Sequence, residues 1–390
     1  MSTWTWPAYV GVVGGVLLFG LLLVPILLFQ VRRYGTLNGP RLVGAAAVAV
    51  YGVALVAYTL LPLPAGDLAD WCAAHGYGSA QLRPFQFVAD VRTETAGESL
   101  ATALRSPAVL QVVLNVVLFV PWGVIVRRFV GWRLLPTVLS ALGASLVIET
   151  TQYTGIFGLI PCSYRVGDVD DLLTNTLGGL LGALVAPVVL RWMPRSRDLA
   201  AHRGEARQVT VWRRWFGMLV DAAAFVGLGF VLDVGYRLVL VAAGRPVPTG
   251  EDTVDWVVGN VVPFLVVFAW PALVGGGASW GQRAVWLEPL WSGRPRRLLR
   301  GAVPGGLWGL CGVLASLPAG WEVPDVAAVA RVVQVALAVV AVVAVPLTRG
   351  RRGLSGVVSG AIVVDVRRDA ARSARDRSGQ SESPKPSSTP

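Results

Sequence analysis

Three groups of polar side chains lie inside or beside strongly apolar stretches in the first half of this sequence. Asn115 lies within an apolar run of about residues 108–126, and Glu149 and Gln152 close the next run. The third group is the segment 165–175, which reads RVGDVDDLLTN. Because polar groups at bilayer depth are costly and usually face the protein interior, each group is a candidate functional site.

The spacing within the third group indicates the chemistry it can do. Asp168, Asp171 and Asn175 are spaced i, i+3 and i+7, so they share one face of a helix that begins this early. Asp168 or Asp170 can instead serve as the N-cap of that helix, which accounts for one acid but not for all three. Arg165 is the only basic residue nearby in the sequence and is therefore the predicted charge partner of these acids. We expect no cofactor, although Mg²⁺ or Ca²⁺ at this acidic cluster is an open alternative because both prefer oxygen ligands.

The other two groups each have a structural alternative. Amide side chains hydrogen-bond across membrane helices, so Asn115 suits a helix–helix contact as well as a site. Glu149 and Gln152 share a helix face at i, i+3, and we favour a functional site there over a purely structural carboxylate. Further along, Gly178 and Gly182 form a G-x-x-x-G pair, which favours close packing of membrane helices.

The composition explains why these polar residues stand out. Of the 390 residues, 54% are hydrophobic and only 15% are charged, with a mean hydropathy of +0.60. An ordinary soluble domain is about 25% charged, and several apolar runs here exceed the roughly 18 residues that span a bilayer. The sequence therefore predicts an all-α, polytopic membrane protein and excludes a cytosolic globular enzyme.

Apolar runs and arginine clusters alternate along the whole chain. The predicted spans are about residues 8–30, 42–61, 108–126, 134–155, 171–190, 215–243, 256–273, 301–317 and 326–347. Arginines concentrate in the loops after the odd-numbered spans, and all of these loops lie on the same side of the membrane. By the positive-inside rule, about nine transmembrane helices run with the N-terminus outside and the C-terminus in the cytoplasm. The net charge of +11 therefore reflects orientation, and no basic soluble module for nucleic-acid binding is present.

The basic stretch in the middle of the chain indicates two membrane domains. We predict a five-helix membrane domain at 1–192, a basic cytoplasmic linker at 193–212 and a four-helix membrane domain at 213–365. The remaining segment, 366–390, is rich in Ser, Arg, Asp and Pro without an apolar period, which predicts a disordered cytoplasmic tail.

Cysteines and histidines add little catalytic potential. Cys72 and Cys162 both fall on the outer side in this topology, where two thiols can pair in an oxidising compartment. Two cysteines so far apart in the chain can equally be coincidence, so this disulfide is an open alternative. The only two histidines, His75 and His202, fall in different loops, which argues against a histidine zinc site or a Ser-His-Asp triad.

Four ordered motifs in the first half resemble the VanZ-like family. They are QLRPF at 81–85, NVVLFVPWG at 115–123, IETTQ at 148–152 and RVGDVDDLLTNTLGGLLG at 165–182. The resemblance covers about residues 40–190 and implies a small multi-helix membrane domain in the bacterial plasma membrane. The founding member of the family is linked to resistance to teicoplanin-type glycopeptides. The motif positions carried over are Asn115, Glu149, Gln152, Arg165, Asp168, Asp170, Asp171 and Asn175.

The second half is similar to the RDD membrane domain. Arg214 followed by Asp221 resembles the opening motif of that family, and Gly281 and Arg283 lie in a segment (GASWGQR) that resembles its G-x-T-x-G-K-R loop. In the third motif, at 352–356, the His and Asp of the family are missing. The resemblance implies a membrane module for which transport is sometimes suggested.

Three functions are compatible with these residues. The favoured hypothesis is a cell-envelope protein, embedded in the lipid bilayer, that binds a cell-wall precursor or a glycopeptide-type ligand at the outer face. The alternatives are an intramembrane enzyme with Glu149 as the acid/base group, and a transporter with Asp221 and Glu149 as ion relays. No inverted repeat is visible in the sequence, which disfavours transport, and binding is favoured over catalysis. The oligomeric state is left open.

Overall fold

Nine long apolar helices dominate the structure, a computed structural model that describes residues 5–248, 252–274, 276–318, 320–321 and 325–368. In the described ranges these helices are long and apolar enough to cross a bilayer, which confirms the predicted all-α polytopic membrane fold. Numbered spans 1 to 9, they are Thr5–Tyr34, Gly39–Leu60, Pro107–Val130, Leu134–Tyr153, Val169–Val189, Val211–Ala242, Thr253–Leu273, Arg297–Ala315 and Val326–Leu347.

Three of the spans depart from regular α-helix in part of their length. Span 3 ends in a π-helical segment, Ile125–Val130, and span 7 contains two such segments, Val257–Val261 and Leu265–Ala269. Span 8 contains a further π-helical segment, Ala302–Gly306, in which Val303 leaves the helical conformation with φ −118° and ψ 124°. The residue after it is proline, which disfavours helical backbone in the residue that precedes it.

The chain divides into two compact units. Unit 1 comprises the described parts of Met1–Ile26 and Leu37–Ala201, and unit 2 comprises those of Leu27–Thr36 and His202–Pro390. The division at residue 201 falls inside the stretch predicted as the basic linker. The last turns of span 1 group with unit 2, which nothing in the hydropathy pattern indicated.

Unit 1 is organised by a close crossing of spans 3 and 5. A Cβ atom added to Gly178 would overlap the carbonyl oxygen of Val116. One turn later, a Cβ at Gly182 would overlap the carbonyl oxygen of Val120. The two backbones therefore touch where only glycine fits, which confirms the packing role predicted for the G-x-x-x-G pair.

The segment between spans 2 and 3 is more ordered than the loop that the sequence predicted. It contains three short helices, Leu68–His75, Gln86–Thr95 and Leu100–Ala103. Cys72, in the first of them, forms a disulfide with Cys162, which lies beyond span 4, with 5.7 Å between the Cα atoms. Short helices of this kind have no span-length apolar pattern, so their order depends on contacts with distant residues.

Unit 2 carries a small sheet outside its spans. Strand β1, Leu287–Leu290, pairs antiparallel with strand β2, Ile362–Asp365. The remaining short helices of the two units are Gly155–Gly158, Ser196–Ala201, Trp280–Ala284 and Gly353–Ser359, with one 3₁₀ turn at Arg349–Arg351.

Strand β2 ends in a buried ionic network. Asp365 accepts salt bridges from Arg213 at 2.9 Å and from Arg367 at 2.6 Å, and the backbone N–H of Arg207 donates to the same carboxylate at 3.1 Å. Arg367 is only 5% exposed, although its position belongs to the segment predicted as a disordered tail. The rest of that tail, 369–390, lies outside the described residues.

Candidate functional site

Three carboxylates of unit 1 meet where span 4 ends and span 5 begins. The backbone N–H of Asp168 donates to Glu149 Oε2 at 3.0 Å. Asp168 is the N-cap of span 5, since its Oδ1 accepts from the backbone N–H of Asp170 at 2.8 Å. Asp171, in the first turn of span 5, is close enough for its charge to act on Glu149. The sequence left the cap open between two acids, and the structure assigns it to Asp168.

Span 3 contributes two amides to the same place. Asn115 Nδ2 donates to Asp171 Oδ1 at 2.6 Å, and Gln111 Nε2 reaches that oxygen at 3.4 Å. Gln111 was missed in the sequence because it is close to the start of its span, where polar residues carry little cost. Its i, i+4 spacing to Asn115 places both amides on one helix face, and this spacing could have identified Gln111 as a site residue. We call Glu149, Asp168 and Asp171, with these two amides, the carboxylate cluster.

Asp170 does not join the cluster but anchors the preceding loop. Its buried carboxylate accepts from the backbone N–H of Phe85 at 2.6 Å and from that of Phe87 at 2.9 Å. Phe85 has a left-handed backbone, with φ 65°, and no side chain of its own caps the helix Gln86–Thr95. Asp170 therefore supplies the negative charge that the exposed N–H groups of a helix start favour.

The loop is also held by Gln81. Its backbone N–H donates to Gly167 O at 2.9 Å, and its own carbonyl accepts from Val169 N at 3.1 Å. Its side chain donates to Asp168 Oδ1 at 3.3 Å. The QLRPF segment is therefore docked directly on the acidic segment that begins span 5.

Gln152 and Arg165 contact the end of span 2 instead of the carboxylates. Gln152 Nε2 donates to Thr59 O at 2.6 Å, and Arg165 Nη2 donates to Leu61 O at 3.1 Å. These are carbonyls at a helix end, which have no partner within the helix. Within the described residues Arg165 forms no ion pair with an acid, and its charge acts on Glu149 only from beyond hydrogen-bond distance.

Asn175 lies deeper between spans 4 and 5. It is only 4% exposed, and its Nδ2 donates to Ser145 Oγ at 2.9 Å. Its Oδ1 has no hydrogen-bond partner among the described residues. Asn175 is therefore an interhelical contact, and the i+7 spacing that grouped it with Asp168 placed it too far along the helix to reach the cluster.

The carboxylate cluster has unsatisfied acceptor capacity. The hydrogen bonds above use Glu149 Oε2, Asp168 Oδ1 and Asp171 Oδ1. No hydrogen bond to the second oxygen of any of the three comes from the described residues. Burial raises the pKa of Asp168 above its ordinary value, against the opposing hydrogen bonds of Asp170 and Gln81. Within the described residues the cluster therefore accepts hydrogen bonds from neutral donors alone, while the charge of Arg165 acts on Glu149 from beyond hydrogen-bond distance.

Among the described residues, no group of three or more His, Cys, Asp or Glu side chains is arranged to hold a metal ion. The carboxylate oxygens of the cluster can accept hydrogen bonds from a positively charged group.

In unit 2, three of the four residues predicted from the RDD resemblance come together. Asp221 accepts from Ser279 Oγ and from the backbone N–H of Gly281, both at 2.6 Å, and Arg214 is close enough to act on its charge. Arg283 lies apart, exposed, with its guanidinium 5.8 Å from the ring of Trp280.

The basic residue that accompanies this group is Arg300, which the sequence did not single out. It is buried near the start of span 8 and acts on the charge of Asp221. It was missed because it follows Arg294, Arg296 and Arg297 in a loop that the positive-inside rule already explains.

Comparison with known proteins assigns the region that contains the carboxylate cluster to a protein family. Residues 48–191 match the VanZ/LLP1 family model. A VanZ-like domain lies here. With nine candidate spans among the described residues, the protein is a multi-pass protein of the plasma membrane and belongs to the cell envelope. No curated protein and no solved structure gives a match to the chain.

The VanZ-like domain contains the whole carboxylate cluster and the loop that Asp170 anchors. The matched region ends at residue 191, so the RDD resemblance of the second half stays a prediction.

Proposed function

We propose that the VanZ-like domain binds a cell-wall precursor or a glycopeptide-type ligand through the carboxylate cluster, and that this binding confers glycopeptide resistance. The single observation that carries the proposal is the convergence of Glu149, Asp168 and Asp171, each with one carboxylate oxygen that accepts no hydrogen bond from the described residues.

The chemistry of the cluster suits an ammonium group of the ligand. Carboxylates that share a site repel one another, and a bound cation relieves this repulsion. Hydrogen bonds between a charged donor and a carboxylate are also roughly twice as strong as neutral ones. The peptide part of a cell-wall precursor or of a glycopeptide can present such an amine, and the predicted topology puts the cluster at the outer face, where these ligands occur.

Binding fits the surroundings of Glu149 better than acid/base catalysis does. One of its oxygens is held by the backbone N–H of Asp168, and the amides of span 3 hold Asp171 in the same way. Three carboxylates held in fixed positions favour recognition of a cation. Acid/base catalysis by Glu149 would not require Asp168 and Asp171.

The test is the antibiotic susceptibility of a host that expresses the full chain, with membrane expression measured in parallel. We expect the wild type to raise the inhibitory concentration of a teicoplanin-type glycopeptide, and Glu149→Gln and Asp171→Asn each to remove part of that increase. Glu98→Gln is the matched control, because Glu98 is an exposed acid in the outer loop outside the cluster.

Two results contradict the proposal. If both cluster variants keep the full wild-type resistance, the cluster does not bind the ligand. If Glu149→Gln abolishes resistance and Asp171→Asn leaves it intact, Glu149 acts alone, and the enzyme hypothesis replaces binding.

A further inference from the structure

The most distinctive feature outside the VanZ-like domain is a cavity within unit 2 that has one polar end and apolar walls. Its volume is about 340 Å³. The polar end is formed by Arg214, Asp221 and Arg300, whereas side chains such as Met218, Phe268 and Trp308 form the walls. A cavity of this kind matches a ligand that is itself polar at one end and apolar along the rest.

The two arginines at the polar end lack a full set of acceptors. Arg214 and Arg300 are 3% and 4% exposed, and the Nε atom of each is buried without a hydrogen-bond partner among the described residues. Arg214 Nη2 donates to Arg352 O at 2.9 Å. Arg300 donates to Gln282 Oε1 at 2.8 Å and to Ser355 Oγ at 3.3 Å. All of these acceptors are neutral.

Asp221 does not neutralise the pair. Its two oxygens accept from Ser279 Oγ and Gly281 N, and neither arginine lies within ion-pair distance of it in the part of the chain that the structure describes. One carboxylate beside two guanidiniums leaves a net positive charge in a buried place. Buried charges in proteins are normally paired, and an unpaired guanidinium is suited to carboxylate and phosphate oxygens. We call Arg214 and Arg300, with Asp221, the guanidinium cluster.

We propose that this cavity binds an anionic amphiphile, with its phosphate or carboxylate head on Arg214 and Arg300 and its chain along the apolar walls. The break in span 8 supports this assignment, because Val303 and Pro304 line the cavity where the helix is interrupted. In the predicted topology, the starts of spans 6 and 8 face the cytoplasmic leaflet. Anionic lipids of that leaflet carry such a head on an apolar body.

The first measurement compares head groups. The purified full-length protein in a neutral detergent is titrated with dioleoyl phosphatidylglycerol, with dioleoyl phosphatidylcholine and with inorganic phosphate, and the bound species are counted by native mass spectrometry. We expect one phosphatidylglycerol per chain, bound about tenfold or more tightly than phosphatidylcholine, which has the same chains but no net charge. Equal binding of the two lipids overturns the proposal.

The titration with inorganic phosphate shows whether the cavity is a site for a lipid or for a free anion. We expect inorganic phosphate to compete with phosphatidylglycerol but to bind much more weakly, because it cannot use the apolar walls. Phosphate that binds as tightly as the lipid overturns the amphiphile and leaves a site for a free anion.

A pair of arginine variants tests the polar end. Arg300→Gln should weaken phosphatidylglycerol binding about tenfold or more, whereas Arg294→Gln, an exposed arginine of the loop before span 8, should leave it unchanged. Loss in both variants, or in neither, contradicts a specific role for the guanidinium cluster.

A pair of alanine variants on span 9 keeps the test decisive if Arg300→Gln does not fold. Ala338 lines the cavity, and Ala336 is exposed and does not line it. Ala338→Phe should reduce lipid binding and leave phosphate binding intact, whereas Ala336→Phe should change neither. If Ala338→Phe binds the lipid as the wild type does, the chain does not lie in the cavity and the proposal fails.

Discussion

The carboxylate cluster of unit 1 and the guanidinium cluster of unit 2 hold side chains of opposite charge by similar means. In unit 1, backbone N–H groups and amides meet one oxygen of each acid, and no ion pair forms within the described residues. In unit 2, carbonyl and side-chain oxygens meet the guanidinium ends and leave both Nε atoms without a partner. In each case the hydrogen bonds come from neutral groups, which position the charged side chains without forming an ion pair with them, and we propose that a ligand supplies the opposite charge.

The network around Asp365 shows the contrasting arrangement. There one carboxylate accepts salt bridges from two arginines and a backbone hydrogen bond from a third. This paired charge has little left to offer a ligand, and we interpret it as structural. Under our proposals, the two clusters that would bind ligands therefore differ from this structural network in whether their charged groups form ion pairs.

The first prediction concerns the membrane topology, which decides on which side of the membrane each cluster lies. Its outcome is clear-cut, because an introduced cysteine either is or is not labelled from outside. Cysteine introduced at Gly97 should react with a membrane-impermeant maleimide in intact cells, and cysteine at Arg203 should react only after permeabilisation. The reverse pattern would put the carboxylate cluster on the cytoplasmic side and remove its access to envelope ligands.

The largest energetic effect is expected at the paired network. Asp365→Asn should lower the free energy of unfolding of unit 2 by about 4 kcal/mol at neutral pH, because two buried arginines lose their partner. Burial alone would raise the pKa of Asp365, but the hydrogen bonds from Arg367 and Arg207 and the charge of Arg213 bring it below the ordinary value.

This lowered pKa sets the pH dependence of the same variant. The stabilisation is fully present above the ordinary pKa of aspartate, about 4, and is lost as the pH falls toward the lower pKa of the folded state. The difference in thermal stability between wild type and Asp365→Asn should therefore shrink only below about pH 4. A difference that already shrinks between pH 7 and 5 would contradict the assignment.

A smaller effect is expected where spans 3 and 5 touch. Gly182→Ala should destabilise unit 1 by about 3 kcal/mol, because the added Cβ overlaps the carbonyl oxygen of Val120 and pushes Asn115 away from Asp171. Gly143→Ala, in span 4, is the control, since no described heavy atom lies within 4 Å of its added Cβ. Thermal unfolding in detergent should separate the two variants, and equal melting temperatures would rule out the backbone contact.

The smallest effect is expected at the loop anchor. Asp170→Asn should lower stability by about 2 kcal/mol, since a neutral amide replaces the charged acceptor of two backbone N–H groups. Limited proteolysis should cleave the helix Gln86–Thr95 faster in this variant than in Asp90→Asn, an exposed acid of the same helix. Equal cleavage rates would show that the loop is held by other contacts.

The sequence was sufficient for the spans and for part of the site. Apolar length alone predicts the nine long helices found in the described part of the chain, because crossing a bilayer imposes that length. The grouping of Glu149 with Asp168 and Asp171 was predictable, since acids are costly at the ends of neighbouring spans unless they are met by polar groups. Asn115 was predicted to join these acids for the same reason, because an amide inside a span is costly unless it meets a polar partner.

The rest depended on long-range contacts that no local pattern encodes. Arg165 and Gln152 lie close in sequence to the acids, yet they reach carbonyls of span 2. Arg300 was hidden among loop arginines, since the positive-inside rule explains a basic residue without regard to its burial. A short motif identifies which residues are polar in the membrane, but the packing of distant spans decides what each of them meets.

The central claim is that the carboxylate cluster recognises a positively charged group of its ligand. The most direct test compares the binding of a muramyl pentapeptide that carries a free lysine amine with its Nε-acetylated form, using the full-length protein in lipid nanodiscs. The wild type should bind the free amine about tenfold more tightly, and Asp171→Asn should lose most of that preference while Glu98→Gln keeps it. Equal affinity of the wild type for the two peptides would contradict the claim.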